Sequence, residues 1–267
     1  AKSVPHGKLR GRKTPAPVAA ARPSSRTIPL YQVDAFTRRL FHGNPASVVV
    51  LDKAWLPDET MQAIAAENNQ AETAFVLRGK GGKHALRWFT PTLEMDLCGH
   101  ATLGAAHALW THEKEKAKKL VFSSRSGALP VERRGDLIVL DFPSRPGERV
   151  PVTPALCAAL GRTPVEAYKS RDLMFVFENK REVHELTPDL WKLAQMDALG
   201  VIVTAPGAGH DFVSRFFAPG AGVPEDPVTG PAHCTLVPYW AERLGRKTLS
   251  AHQVPHQAVQ VGVHGDV

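Results

Sequence analysis

Short apolar runs separated by polar or turn-forming residues dominate the chain from residue 28 onward. In the first part, "IPLYQVDAF", "SVVVL", "TAFVL", "HALRWF", "LVF" and "LPVERR" read as strands, while apolar residues at helical spacing predict helices over 58–67 and 99–112. Further on, "LIVLDF", "FVF", "GVIVTA" and "DFVSRFF" read as strands. Helices are expected near 154–160, 187–195 and 231–244, the last kinked by Pro238. The pattern predicts an α+β fold in which mixed sheets wrap around central helices.

A repeat underlies this pattern. "RWFTP" at 87–91 and "RFFAP" at 215–219 each place an arginine, two aromatics, a small residue and a proline ahead of a helix that starts with small residues. Arg87 to Arg215 spans 128 positions, Gly99 to Gly230 spans 131 and Trp110 to Trp240 spans 130, so the spacing holds within three residues. Two similar domains related by a pseudo-two-fold follow, each a curled mixed sheet around a central helix. We place them at 27–135 and 136–267, with the crossover near "RGDL" (134–137) and the final segment free to return to the first domain. "PSRPGERVP" (143–151) is linker-like in composition.

Composition changes the picture in one respect. The formal charge of +7 looks like a nucleic-acid signal until it is located: residues 1–26 hold seven Lys and Arg and no acid. Removing these seven from 33 leaves 26 basic residues against 26 acidic ones, so the body is neutral and a groove for a phosphate backbone is not expected. Residues 1–26 read as a disordered basic tail. They suit an organelle transit peptide and an unprocessed leader or extension about equally, and contain no apolar run for a membrane span. Cys98, Cys157 and Cys234 are too few and scattered for a disulfide framework or a CxxC site, which points to a reducing, cytoplasmic setting. The twelve histidines are read as holding no pair at HxxxH or HExxH spacing, and neither a metal nor a cofactor is expected.

With two similar halves, the expected ligand site is the cleft between them. Helix N-termini at Gly99–Ala101 and Gly230–Ala232 would face each other there and offer unpaired N–H groups to an anionic substrate. In "EDPVTGPAH" (225–233) the loop carries Asp226 toward that cleft, and Pro231 fits the first helical position, where a missing N–H is tolerated.

"GNPASVVV" (43–50), "AETAFV" (71–76), "RWFTPTLEMDLCGHATLGAA" (87–106) and "SRFFAPGAGVPEDPVTGPAH" (214–233) resemble, in that order, the PhzF-like isomerase family of phenazine biosynthesis, across residues 28 to about 253. The resemblance implies a diaminopimelate epimerase-like fold with the active site between the domains, and a homodimer. It implies cofactor-independent proton transfer between carbons of a small anionic substrate. The family's catalytic carboxylate falls on Glu72, its histidine on His100 and its loop aspartate on Asp226. Substrate contacts are implied for Asn44, Ala71, Gly99, Ala101, Gly230, Pro231 and Ala232. A carboxyl group in a closed apolar cleft has its pKa raised toward neutrality, where it can both take and return a proton. His107 and His233 are read as structural.

The chain departs from the family pattern at Ala71 and Pro231, where serines are common, and after "SAHQ", where an Arg-Gly-Gly segment and further strands usually follow. The last difference predicts an edge of the first domain left unpaired or supplied otherwise. Two rival functions are weighed. A two-thiol amino-acid epimerase would use Cys98, but the equivalent place in the second motif is read as Pro227, with Cys234 a helical turn further on. A catalytically weak ligand-binding or interaction protein would fit Ala71 and Pro231, but not the presence of Glu72, His100 and Asp226.

Overall fold

The computed structural model describes residues 27–254 and the backbone of 259–264, so the basic tail at 1–26 lies outside the described residues. Two eight-stranded sheets are formed. The first contains β1 (Leu30–Ala35), β2 (Asn44–Leu51), β3 (Glu72–Leu77), β4 (Lys83–Phe89), β6 (Lys119–Ser124), β7 (Gly127–Arg134) and β8 (Leu137–Leu140) in that spatial order, with the short β5 (Glu94–Met95) on β4. The second runs β16 (Val259–His264), β15 (Thr248–Gln253), β13 (Phe212–Ala218), β12 (Val201–Pro206), β11 (Leu173–Val176), β10 (Glu166–Lys169) and β9 (Glu148–Val150), with β14 (Val223–Asp226) on β13.

The repeat is one of topology. β2 and β3 are parallel, as are β11 and β12; β3 pairs antiparallel with β4, as β12 does with β13. α2 (Gly99–Thr111) and α6 (His233–Leu244) each follow the short hairpin strand, and each leads to a strand that pairs in parallel with the long hairpin strand, β6 with β4 and β15 with β13. The "Arg-aromatic-aromatic" signature falls on β4 and β13, where alternation sends successive side chains to opposite faces. Trp88 and Phe216 turn inward to the main core, whereas Phe89 and Phe217 turn outward to satellite cores. The arginines share the outer face: Arg87 lies 5.2 Å from the Phe89 ring and Arg215 4.8 Å from the Phe217 ring. Each also forms a two-point fork, Arg87 with Glu94 (2.7 and 2.8 Å) and Arg215 with Glu225 (2.7 and 2.9 Å). The repeated motif thus closes the same hairpin twice.

Both faces of each sheet are covered, which explains the nearly unbroken apolar runs. On β3, Ala74 and Val76 face α2 while Phe75 packs under α1 (Asp58–Asn68). On β12, Ile202 faces inward and Val201, Val203 and Ala205 pack outward against α3 (Pro154–Leu160), α4 (Lys180–Glu185) and α5 (Leu190–Ala194). α2 is built from small residues and buried on almost every side, so a sheet can wrap closely around it. In α6, Trp240 stacks on Phe212 at 5.7 Å and donates to the Thr204 hydroxyl at 3.0 Å.

Four sequence expectations change. "LIVLDF" supplies β8, which pairs with β7 of the first sheet (Val131↔Leu140), so the crossover does not fall at 134–137 or the boundary at 135/136. The chain passes between sheets after Leu140, through the Pro- and Arg-containing stretch ahead of β9. The described final strand, β16, pairs with β15 of the second sheet, so this segment does not return to the first domain, whose edge strands are β1 and β8. The helix expected over 187–195 shortens to α5, capped by Asp189, and is preceded by α4, which the expectation lacked. The helix expected from 231 begins at His233; Gly230–Ala232 form a tighter turn in which the Gly230 and Pro231 carbonyls accept from the His233 and Cys234 N–H groups.

Candidate active site

Period-two alternation places Glu72 on the same face of β3 as Ala74 and Val76, pointing at the N-terminus of α2. Glu72 is 8% exposed. Cys98, the N-cap of α2, has extended backbone geometry, and His100 follows in the first turn. His100 Nε2 lies 3.4 Å from Glu72 Oε2, and Nδ1 lies 3.6 Å from Cys98 Sγ. The Glu72–His100 approach lacks hydrogen-bond alignment, so both Oε2 and Nε2 are buried with no hydrogen-bonding partner among the described residues. Leaving such groups unpaired costs about 1–3 kcal/mol each, which a ligand bonding to them would relieve.

Asp226 enters from the other half. It ends β14 opposite Phe216, the place Met95 takes opposite Trp88, so the pseudo-symmetry of the halves breaks at the acid. Asn44 crosses from β2 to donate to Asp226 Oδ1 (2.6 Å) and the Val228 carbonyl (2.9 Å). Thr229 donates to Oδ2 at 2.5 Å. Gln253 fixes this loop by donating to the Asp226 carbonyl (2.7 Å) and Thr229 Oγ1 (2.9 Å) and accepting from the Thr229 N–H (2.8 Å). Both carboxylate oxygens of Asp226 are therefore held, whereas Glu72 keeps one oxygen uncommitted.

Burial sets the protonation of the group. It raises Glu72 to about 8, helped by the negative charge of Asp226 and opposed by a hydrogen bond with Cys98 and by Arg171. Burial also raises Asp226, to about 6, against the bonds from Thr229 and Asn44. It lowers His100 to about 3 against a hydrogen bond with the Pro45 carbonyl, so the imidazole is neutral at neutral pH. The Cys98 thiol is pushed well above its usual range by burial and by Glu72.

Glu72, His100, Asp226 and Pro231 line one interdomain cavity of about 20 Å³, room for about one water. The Gly99 and Gly230 backbones meet at its seam: a Cβ on Gly99 would lie 2.7 Å from the Gly230 Cα. Asn44 stands behind Asp226. Ala101 and Ala232 are buried in the core and Ala71 is half-buried; none of these three lines the cavity. Pro231 does not occupy the first helical position, but it faces the cavity from the turn before α6. His233 is buried, its Nδ1 2.8 Å from the Thr229 carbonyl, and His107 does not line the cavity.

Motif reading missed Cys98 as a neighbour of Glu72, and also Thr229, Gln253 and Arg171. The Gly99/Gly230 and Met95/Asp226 equivalences put Thr229, not Pro227, opposite Cys98, and Thr229 carries a hydroxyl. A larger open hollow of about 540 Å³, outside the second sheet near Lys180 and His184, is bordered by exposed charges of both signs and lies away from these groups.

One atom each from Glu72, Cys98 and His100 lie within 4.8 Å of one another, a donor set of the kind that binds zinc. Burial and Glu72 raise the Cys98 thiol, which suits a hydrogen bond to Glu72; a bound cation would lower it and make the same three atoms ligands. Contrary to the expectation of no HxxxH pair, His252 and His256 are four apart; His252 is on strand β15, not a helix face, and His256 lies outside the described residues.

Two topologically equivalent halves meeting around a buried acid define an epimerase-like fold. The family model described as phenazine biosynthesis-like protein matches residues 33–266, and this chain belongs to that family. Two proteins of Pseudomonas aeruginosa named as uncharacterized isomerases are 53% and 49% identical to it over 224 residues each; both alignments cover 84% of this chain, and 85% and 86% of the relatives. A PhzF-family crystal structure from Enterococcus faecalis is 48% identical with a TM-score of 0.82, covering 90% of this chain and 92% of the other. Among the described residues, no helix is long and apolar enough to cross a membrane.

Proposed function

We propose that this protein is a cofactor-independent isomerase that moves a proton between carbons of a small anionic substrate, with Glu72 as the carrier. The observation that carries the reading is the buried Glu72 carboxyl, whose Oε2 has no hydrogen-bonding partner at the cavity wall while both oxygens of Asp226 are engaged. A carboxyl group raised toward neutrality exchanges protons with a carbon acid at little cost in either direction. Asp226, held by Asn44 and Thr229, supplies the charge that helps keep Glu72 basic. His100 acts as a neutral hydrogen-bonding group toward the substrate. Because the cavity has room for about one water, substrate admission requires the seam between the halves to open.

The names of the relatives support the isomerase class. A homodimer and a cytoplasmic setting belong to the proposal on the family likeness. The two-thiol epimerase lacks support, since Thr229 takes the place a second thiol would need. Incubation in deuterium oxide with a panel of small cyclic and amino-acid-derived carboxylates tests the reading. Deuterium gain at a substrate carbon, lost in Glu72→Gln, supports it; binding of panel members without exchange would favour the binding-protein alternative.

A further inference from the structure

Arg171 is the cation that lines the interdomain cavity among the described residues, and nothing in the motifs marks it. It lies in the turn between β10 and β11, half-buried, and the apolar residues Met95, Leu97 and Phe216 line the same cavity. Its two acidic partners differ in kind. Asp172, 1% exposed, takes the Nε–Nη2 edge of the guanidinium, at 3.2 and 2.8 Å. Asp96 comes from the first half, just ahead of α2, and takes one bond from Nη1 at 3.0 Å; its side chain is 37% exposed and is shared with Arg145 at 3.2 Å. These bonds engage three of the five N–H groups of Arg171.

We propose that Arg171 is the specificity-determining residue that receives the substrate's carboxylate, exchanging Asp96 for it when the cleft takes up a ligand. The end of the guanidinium turned from Asp172 is the edge that forks a carboxylate, and Asp96 occupies only one N–H of it. Asp96 can keep its bond to Arg145 when it leaves Arg171, so its release frees the Nη1 edge for an incoming anion without stranding a buried charge. The Asp96–Arg171 bond also crosses the seam, so admitting a ligand and freeing the arginine are one movement. Asp172 keeps the guanidinium in place throughout.

The inference rests on the proton-transfer reading for the choice of an anionic substrate, but its test uses binding alone. Benzoate and benzamide have the same shape and differ in charge; their affinities are compared by calorimetry for wild type, Arg171→Gln, Arg171→Lys and Asp96→Asn. Wild type is expected to favour benzoate about tenfold or more. The preference should vanish in Arg171→Gln, fall to an intermediate value in Arg171→Lys, and persist or grow in Asp96→Asn, where the arginine is released. A ratio near one in wild type, absence of measurable benzoate binding, a ratio kept in Arg171→Gln, or an equal loss in Asp96→Asn and Arg171→Gln would each overturn the proposal; the last would make Arg171 only a tie between the halves. Should Arg171→Gln not fold, an undiminished ratio in Arg171→Lys overturns it as well. Failure of deuterium exchange with this ratio intact would strike the isomerase reading and leave the anion receptor standing.

Discussion

Gly99 and Gly230 touch backbone to backbone across the seam. A Cβ built on Gly99 would stand 2.7 Å from the Gly230 Cα, and one built on Gly230 would stand 2.8 Å from the Gly99 Cα, with the Phe142 ring 3.3 Å from either. The atoms in the way are mostly backbone, so neither side chain could be accommodated by a rotamer change. The two glycines set how closely the halves approach, and hence how completely Glu72 and Asp226 are removed from water.

Gly230→Ala should therefore hold the halves apart. Overpacking of this kind typically costs about 1–3 kcal/mol. We expect a lower Tm and, because water then reaches the acids, a Glu72 pKa closer to that of a solvated carboxyl group. Thermal unfolding together with titration of the Glu72 carboxyl by NMR checks both, and an unchanged pKa would show that the seam does not control burial of the acid.

Glu72→Gln should abolish substrate-dependent deuterium exchange, a loss of about a hundredfold or more, since it keeps size and polarity but carries no titrating proton. The same substitution should change stability with a definite sign. The folded-state pKa of Glu72 is raised from 4.5 to about 8, so the stability it contributes is fully present below 4.5 and is lost as pH rises toward 8. The glutamine variant lacks that loss, and should gain on wild type by on the order of a few kcal/mol between pH about 5 and 8.5. Unfolding curves at both pH values decide it; a difference that does not change with pH would mean Glu72 is not held neutral by burial.

How much of this was legible beforehand depends on whether a feature is local. Alternation along β3 and the apolar spacing of α2 are local, so most strands and both central helices could be read, and Glu72, His100 and Asp226 stood out through their motifs. Strand partners are not local. Nothing in "LIVLDF" says that it pairs backward with β7, so the boundary expected at 135/136 falls one strand early. Arg171 was invisible for the same cause, since "SRDLMF" becomes informative only once the fold brings Asp96 and the cavity beside it. The short helix α4 has a signal, the capping box of Asn179 and Glu182, but no apolar spacing, since Val183 is its one buried residue.

Asn44→Ala should act on Asp226 from the opposite half. It deletes the 2.6 Å bond to Oδ1 and leaves a buried carboxylate oxygen unpaired, at a cost of about 1–3 kcal/mol. That bond holds the Asp226 pKa down against burial, so its loss should move the pKa above about 6. Asp226 would then carry less charge at neutral pH, and Glu72, partly raised by that charge, should move down in turn. NMR titration of the two carboxyl groups reads the pair; parallel shifts in the same direction would contradict the coupling.

Pro231 bears on whether the second helix N-terminus retains its anion-binding capacity. It lines the cavity and occupies the turn before α6, where its carbonyl accepts from the Cys234 N–H. Proline itself supplies neither an N–H nor a hydroxyl there. Pro231→Ser restores both at a place that needs no rearrangement of the helix, since α6 begins two residues later, at His233. The cost should be limited to the chain freedom regained on unfolding, about 0.4–1 kcal/mol. A new hydrogen bond to a charged group contributes about 1.5–3 kcal/mol before desolvation is deducted, which corresponds to about a tenfold or greater gain in affinity. Benzoate should therefore bind Pro231→Ser more tightly than wild type, while benzamide gains less because its oxygen carries no full charge. Calorimetric titration of both ligands into both proteins tests this, and equal or weaker benzoate binding by the serine variant would show that the anion is held by Arg171 without help from this turn.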